Sequence, residues 1–328
     1  MWNFVRLRLK LKLSLSANKT LTNSLRLFAF LLLAVITLAA QVPSPWVDIK
    51  PLSIDTGVTG LKLTLRQLHT TGRLMHTVAH PDDEDGGMLT LESRGNGIAI
   101  MQLTLNRGEG GQNKVGSNLL DELGILRTLE LLAADRYYGV EQRFTRVADF
   151  GFSKTPEETF QKWGGHDVAL GDMVRVIRTF RPDVILTFGP EGSVTGHTDH
   201  SMASVFTTLA YEWAGRPNRF PDQLIDGVQP HCTQKLYYTT ADYVLRDRPP
   251  ICPSPITATI DITNYVVTKV AAFEAHTTQA PVFPIVKENI LARSPREMFH
   301  LAATATPRPI EQETDLLAGV VTSAAAAK

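Results

Sequence analysis

Residues 74–84 read LMHTVAHPDDE, an apolar run that ends in one imidazole and three carboxylates. The run at 74–79 is short and apolar, so it predicts a buried β-strand. Carboxylates crowded at the end of such a strand repel one another, and a bound dication is one of the few partners that makes the crowding favourable. The stretch therefore predicts a strand whose carboxyl end carries a metal-binding loop that begins at His80.

Further apolar runs alternate with helical patterns along the chain, in the order expected of βα units. This order predicts an α/β fold of the Rossmann-like kind, with a mostly parallel sheet and helices on both faces. Ligands of such sheets bind outside the carboxyl ends of the strands, so we expect the active site there. Strands are predicted at 74–79, 98–105, 183–188, 235–240 and 258–262, and helices at 88–93, 119–134, 174–180, 201–214 and 265–276, the last being the final helix.

A second polar cluster follows the strand predicted at 183–188. Residues 196–200 read GHTDH, in which two imidazoles flank a carboxylate. The two loops together offer nitrogen and oxygen donors without a thiolate, which suits a catalytic zinc site with three protein ligands and one open position. Zinc makes water more acidic, and a neighbouring carboxylate can take the proton as the water attacks a carbonyl. Spacing alone leaves open which carboxylate binds the metal and which acts as the base.

The composition argues against two classes of partner. Lysine and arginine together number 33, as do aspartate and glutamate, so no global charge attracts nucleic acid or an anionic membrane. Gly108, Gly110 and Gly111 follow the second predicted strand without a G-x-G-x-x-G pattern, so we expect no nucleotide cofactor. Turn chemistry is the simpler explanation of these glycines.

The first 40 residues differ from the rest of the chain. Basic residues without an acidic one precede an apolar run at 27–40 that ends in small residues. A run of that length is typical of a signal peptide, because a spanning helix needs about 20 residues. We expect residues 1–40 to be an export signal, 41–56 a linker and 57–328 a single domain. The protein would then be periplasmic or extracellular; the alternative is an uncleaved N-terminal membrane anchor.

The two cysteines, Cys232 and Cys252, lie in a proline-rich stretch. Export would permit a disulfide between them, and closing a loop of that size stabilises a fold by about 3 kcal/mol when the geometry is unstrained. The alternative is two unpaired thiols. Neither cysteine has a partner at zinc-finger spacing, so neither is expected in the active site.

Five motifs of the chain, taken in order, resemble those of the LmbE-like or PIG-L superfamily of zinc-dependent deacetylases. This superfamily includes the N-acetylglucosaminyl-phosphatidylinositol de-N-acetylases and the deacetylases of mycothiol and bacillithiol synthesis. The resemblance covers most of the chain and implies a single LmbE-like deacetylase domain. The motifs are AHPDDE (79–84), LTLNRGEGGQN (103–113), LRTLEL (126–131), GHTDH (196–200) and AHTTQ (275–279).

The resemblance implies roles for the metal-binding residues. His80, Asp83 and His200 match the family's zinc ligands, and Asp82 matches its general base. Iron(II) is an alternative occupant, because it can also use nitrogen and oxygen ligands. Asp82, once protonated, would donate to the leaving amine.

Further roles follow from the same resemblance. His197 would stabilise the tetrahedral oxyanion or assist the leaving amine, and Asp199 would orient it through the other ring nitrogen. Relatives often carry an aromatic residue where this chain has Thr195, so a tyrosine-assisted step is in doubt. Residues expected at the substrate are Arg107, Glu109, Asn113 and Arg127.

Simpler interpretations exist for some of these residues. Arg127 and Glu130 have the spacing of an ion pair on a solvated helix face. His276 is interpreted as a structural histidine, with a role toward the substrate as the alternative that the resemblance favours. His69, His76, His166 and His231 carry no companion signal and are assigned no function.

The resemblance implies hydrolysis of the acetamide of an N-acetylglucosamine-like substrate to acetate and a free amine. The expected partner is therefore a small molecule, glycolipid or glycan that contains an amino sugar. One alternative is a metal-dependent hydrolase of another bond, such as a phosphoester. A second alternative is a catalytically silent carbohydrate-binding module on the same fold. The presence of Asp82 and His197 argues against this second alternative.

Overall fold

The structure, a computed structural model, describes residues 51–192, 197–240, 254–292, 295–309 and 311–321. Within these residues seven β-strands form one sheet. They are β1 (Arg73–Val78), β2 (Ala99–Thr104), β3 (Glu141–Phe144), β4 (Val184–Phe188), β5 (Lys235–Thr240), β6 (Ala258–Asp261) and β7 (Arg296–Thr304).

The strands lie in the order β3-β2-β1-β4-β5-β7-β6. The five strands from β3 to β5 pair in parallel, whereas β7 runs antiparallel to both β5 and β6. At the centre, Met75 of β1 aligns with Met101 of β2 and with Ile185 of β4. The strand order reverses between β1 and β4, and this is where a doubly wound sheet opens its binding crevice.

Helices cover both faces of the sheet, which confirms the predicted fold class. One face packs against the helices Ala169–Phe180 and Thr198–Ala214, and the other against Gly86–Thr90, Asp121–Tyr138 and Val266–Phe273. The helices are α1 (Gly57–Leu68), α2 (Gly86–Thr90), α3 (Asp121–Tyr138), α4 (Pro156–Lys162), α5 (Ala169–Phe180), α6 (Thr198–Ala214), α7 (Asp222–Ile225), α8 (Val266–Phe273) and α9 (Phe283–Ala292). A π-helical turn, Leu91–Gly95, continues α2, and 3-10 turns span Ser53–Asp55, Thr263–Tyr265 and Thr277–Val282.

The apolar periodicity of the sequence accounts for this packing. In α5, Met173, Val174 and Ile177 recur at helical spacing and are fully buried, whereas the intervening Arg175 reaches Asp226 at the surface. The strands between the two helical layers are buried on both sides, as β4 is along its whole length. This central position explains why β4 reads as a continuous apolar run, VILTF.

One prediction about the helices is wrong, and the set of predicted strands is incomplete. The helix expected at 265–276 begins at Val266, ends at Phe273 and is not the last one, because α9 and β7 follow it. β3 and β7 were missed: β3 is a short polar strand at the sheet edge, and β7 alternates buried and partly exposed residues on the antiparallel side.

Some predictions fall on residues that the structure does not describe. These are the export signal at 1–40, most of the linker at 41–56, Thr195 and Cys252. Cys232 carries an exposed free thiol. Across the described ranges, no helix combines the length and the apolar character needed to cross a membrane.

Candidate metal centre and active site

Two loops meet at one edge of the sheet, because β1 and β4 are adjacent parallel strands. His80 and Asp83 come from the loop after β1, and His200 lies in the first turn of α6, which follows β4. His80 Nδ1 lies 3.2 Å from Asp83 Oδ2, and His200 Nε2 lies 3.4 Å from Asp83 Oδ1. The structure thus brings the three predicted ligands together.

The hydrogen bonds of His200 indicate what lies between these side chains. His200 Nδ1 lies 3.3 Å from the carbonyl oxygen of Gly192, so Nδ1 carries a proton. Burial lowers the pKa of His200 and favours the neutral ring, in which Nε2 has a lone pair. His200 Nε2 and Asp83 Oδ1 are then two acceptors that face each other. Such a pair is unfavourable unless a cation lies between them, so the donor set fits a metal ion that prefers nitrogen and oxygen ligands.

His80 has a carboxylate at each ring nitrogen. Nδ1 contacts Asp83, and Nε2 lies 3.2 Å from Asp199 Oδ2. Burial by itself lowers the pKa of His80, but the contacts with Asp199 and Asp83 outweigh it and raise the pKa to about 10. These surroundings favour a positive charge at the centre, which a divalent cation supplies.

Asp199 contacts His80 more closely than His197. Its Oδ2 is 3.2 Å from His80 Nε2 but 4.0 Å from His197 Nδ1, and its Oδ1 accepts a hydrogen bond of 2.7 Å from Thr159. A carboxylate behind a metal-binding imidazole fixes the tautomer and orientation of that ring. The contact of Asp199 with His80 was not predicted from the sequence.

His197 Nε2 accepts a hydrogen bond of 3.2 Å from the backbone N–H of Ser153. A nitrogen that accepts this bond cannot donate to an oxyanion at the same time. The predicted role of His197 in stabilising an oxyanion therefore requires this hydrogen bond to be exchanged for one with the substrate. Burial and the neighbouring His80 lower the pKa of His197, which favours its neutral form.

Asp82, the predicted base, sits in a strained loop. Its φ of 94° lies in the left-handed region, which costs a residue with a side chain about 1–3 kcal/mol. Asp82 Oδ1 lies 3.0 Å from Arg127 Nη2. Burial raises the pKa of Asp82 to about 6, against the opposing charge of Arg127. The carboxylate is therefore mostly ionised at neutral pH and suited to accept a proton.

Arg127 and Glu130 do not lie on a solvated helix face, because both are buried on α3. Arg127 donates to the carbonyl of Pro81 and pairs with Asp82. Glu130 instead accepts hydrogen bonds from Thr277 and Thr278. The surface ion-pair interpretation is therefore wrong.

The glycines at 108 and 111 make room for Arg127. A Cβ at Gly108, whose φ is +72°, would lie 2.4 Å from Arg127 Nη1, and a Cβ at Gly111 would lie 2.5 Å from the same atom. The guanidinium of Arg127 can therefore cross this loop only because residues 108 and 111 are glycines. Turn chemistry alone did not predict this close approach.

The remaining predicted substrate residues contact other residues of the protein. Arg107 lies over the ring of Phe144 at 4.0 Å and donates to Thr128. Glu109 Oε2 accepts hydrogen bonds from the backbone N–H groups of Arg107 and Asp149. Asn113 accepts from the backbone of its own loop, at residues 115 and 116. Their contacts with a substrate stay a prediction.

Two residues near the centre were missed by the sequence analysis. Asp149 is buried, and one of its oxygens lies within 4.8 Å of donor atoms of His80 and Asp199. The ring of Phe152, which is 73% exposed, lies 4.8 Å from that of His197. Residues 149–153 read DFGFS and lie in a loop without apolar periodicity, so no pattern placed them at the site.

Comparison with known sequences adds a family match. Residues 75–211 match the model of the GlcNAc-PI de-N-acetylase family, PIG-L. Two curated relatives share the name 1D-myo-inositol 2-acetamido-2-deoxy-α-D-glucopyranoside deacetylase. That of Mycobacteroides abscessus is 29% identical over 76% of this chain and 99% of the relative. That of Rhodococcus opacus is 30% identical over 67% of this chain and 86% of the relative.

Two solved structures share the fold. The N,N'-diacetylchitobiose deacetylase of Pyrococcus horikoshii has a TM-score of 0.54 and 17% identity, over 76% of this chain and 93% of that one. The 4-carboxy-2-hydroxymuconate hydratase of Pseudomonas putida has the same TM-score and 18% identity, over 73% of this chain and 100% of that one. Because these two proteins have different activities, the likeness shows the fold alone.

Proposed function

Because the chain belongs to the GlcNAc-PI de-N-acetylase (PIG-L) family, we propose that it hydrolyses the acetamide of an N-acetylglucosamine-type amino sugar to acetate and free amine. The observation that carries the proposal is the cluster of His80, Asp83 and His200 at the carboxyl ends of β1 and β4, with Asp82 next to Asp83 in the same loop. A proton acceptor beside a donor set for a Lewis acid is what amide hydrolysis by water requires.

Zinc is the metal we propose for the centre. Two imidazoles and one carboxylate are a common zinc ligand set in hydrolases that keep one coordination position open. The metal would polarise the acetamide carbonyl and increase the acidity of water at the site. Iron(II) is an alternative occupant, because the same donor types bind it.

Residues of the chain would carry out the proton transfers of this reaction. Asp82 accepts a proton as the water oxygen bonds to the carbonyl carbon, and Arg127 holds its carboxylate in place. When the carbon–nitrogen bond breaks, the same proton passes from Asp82 to the leaving amine. His197 would donate a hydrogen bond to the oxyanion from Nε2 once it is released from the Ser153 N–H and its ring proton has moved from Nδ1 to Nε2.

Acetate release tests the proposal. The zinc-loaded protein is incubated with a GlcNAc-inositol and with simple N-acetylglucosaminides, and wild type is compared with Asp82→Asn. We expect acetate and a stoichiometric amine from wild type only. Phosphate released from a phosphoester without any acetate would favour hydrolysis of another bond, and sugar binding without turnover would favour a silent binding module.

We also propose that the protein is exported. The support is the basic, acid-free stretch and the apolar run at 27–40, with small residues at its end. Mass spectrometry of the mature N-terminus after cell fractionation tests this. A protein that starts near Gln41 and leaves the cytoplasm agrees with cleavage, whereas an intact N-terminus in the membrane fraction indicates an anchor.

A further inference from the structure

The motif AHTTQ connects three parts of the candidate site. Its residues His276–Gln279, here named the brace, follow α8. Thr278 donates to Glu130 of α3 from both its backbone N–H and its hydroxyl, at 2.7 Å each, and Thr277 donates to the same carboxylate. The brace is therefore fixed to the helix that carries Arg127.

The brace also holds the loop that carries the predicted substrate residues. Gln279 Nε2 donates to the carbonyl of Gln112 at 2.7 Å, and the Lys114 N–H donates to the carbonyl of Thr278 at 2.9 Å. Both contacts are made through backbone atoms of the 112–114 loop. They fix the path of that loop whatever its side chains are.

The third contact of the brace reaches the metal-binding loop. His276 Nε2 lies 3.3 Å from Glu84 Oε2, and the two side chains are 1% and 2% exposed. The other oxygen of Glu84, Oε1, accepts the backbone N–H of Asp82 at 3.0 Å. An ion pair between His276 and Glu84, followed by a hydrogen bond from the Asp82 backbone to Glu84, thus connects the brace to the metal-binding loop.

Asp82 needs such support because of its conformation. A residue with a side chain keeps a φ of 94° only where its surroundings hold it there. Arg127 holds the side chain and the preceding carbonyl, and Glu84 holds the N–H. A buried carboxylate such as that of Glu84 is itself costly without a cationic partner, and His276 is that partner.

We propose that His276 is a positioning residue, which acts through Glu84 to hold Asp82 in its left-handed conformation. The role of Asp82 as base rests on the proposed function. The positioning of its backbone does not, so it can be measured without turnover.

The experiment is a double-mutant cycle in the full chain with His276→Ala, Glu84→Gln and both together. Hydrogen–deuterium exchange of peptides covering residues 80–87 reports the loop, and acetate release gives kcat and KM. His276→Gln, which keeps an N–H donor toward Glu84, is the conservative variant. Glu122→Gln is the control for a change from glutamate to glutamine, because Glu122 is exposed and lies outside the loop.

We expect His276→Ala to increase exchange in residues 80–87 and to lower kcat about 10- to 100-fold with little change in KM. His276→Gln should restore part of both, and His276→Ala should add little once Glu84→Gln is present. Wild-type exchange in a folded His276→Ala protein, or additive effects in the double variant, would overturn the proposal. If wild type releases no acetate, the proposed function fails, and the exchange data alone decide the positioning role.

Discussion

Arg127 contacts two consecutive residues of the metal-binding loop. It donates a hydrogen bond to the carbonyl of Pro81, and its Nη2 lies 3.0 Å from Asp82 Oδ1. Arg127 is 5% exposed, so this ion pair is screened far less than one at the surface. A planar group with several donors suits such a double contact better than an ammonium. The position of the candidate base is therefore linked to α3.

Replacing the base should strongly reduce turnover and leave metal binding unchanged. Asp82→Asn keeps the shape of the side chain but cannot accept a proton, so kcat should fall about 10²- to 10⁴-fold. Asp82 is not one of the three predicted ligands, so bound zinc should stay near the wild-type amount. Acetate release and the zinc content of the purified variant are measured together. Activity within tenfold of wild type would assign the base to another residue.

Filling the space beside Arg127 should destabilise the fold. Gly108→Ala imposes a side chain at a φ of +72° and places its Cβ 2.4 Å from Arg127 Nη1. We expect a loss of about 2–4 kcal/mol in the free energy of unfolding, measured with urea, as strain and displacement of Arg127 add.

Gly227→Ala is the matched control for that substitution. Gly227 has a φ of +83°, and no atom lies within 4 Å of the position of its Cβ. This variant should show the backbone strain alone, about 1 kcal/mol. If the two variants lose the same free energy of unfolding, the position of Arg127 does not require a residue without a side chain at 108.

The sequence predicted the two metal-binding loops because each follows an apolar strand that lies at the centre of the sheet. The carboxyl ends of neighbouring parallel strands lie side by side, so the sequence alone predicts that His80 and His200 are close together. The contacts that cross between distant elements were not predicted. Asp149 lies in an aperiodic loop, and the Glu84–His276 pair joins residues far apart in sequence whose positions follow from tertiary packing.

A substitution of Asp199 tests whether this carboxylate orients His80 or His197. It contacts His80 Nε2 at 3.2 Å, whereas His197 Nδ1 is 4.0 Å away. Asp199→Asn should therefore weaken zinc binding about 10- to 100-fold, because the ring of His80 loses the carboxylate behind it. Competition with a chelator measures the affinity.

His197→Ala is the comparison for Asp199→Asn. If Asp199 acts on His80, zinc affinity should fall in Asp199→Asn and stay close to wild type in His197→Ala. If Asp199 acts only by orienting His197, as the family resemblance implied, the two variants should bind zinc equally well and differ from wild type in kcat alone.

A buried carboxyl away from the site should make stability depend on pH. Glu92 is 1% exposed, and burial raises its pKa to about 7, although Asn96 donates a hydrogen bond of 2.9 Å to its carboxylate. Because the folded-state pKa lies above the unfolded value of 4.5, the folded protein binds more protons between these two values. Stability contributed by this group is therefore present below about pH 4.5 and is lost as pH rises toward 7.

The substitution Glu92→Gln removes this titration while keeping an oxygen that can accept from Asn96. The variant should gain stability over wild type as pH rises, by up to about 3 kcal/mol at pH 8, and the two should be similar at pH 4. Urea unfolding at several pH values measures the difference. Glu122→Gln is the control, because Glu122 is exposed and also accepts from an asparagine four residues away, Asn118. A pH-independent difference for Glu92→Gln would show that Glu92 ionises at its ordinary pH in the folded protein.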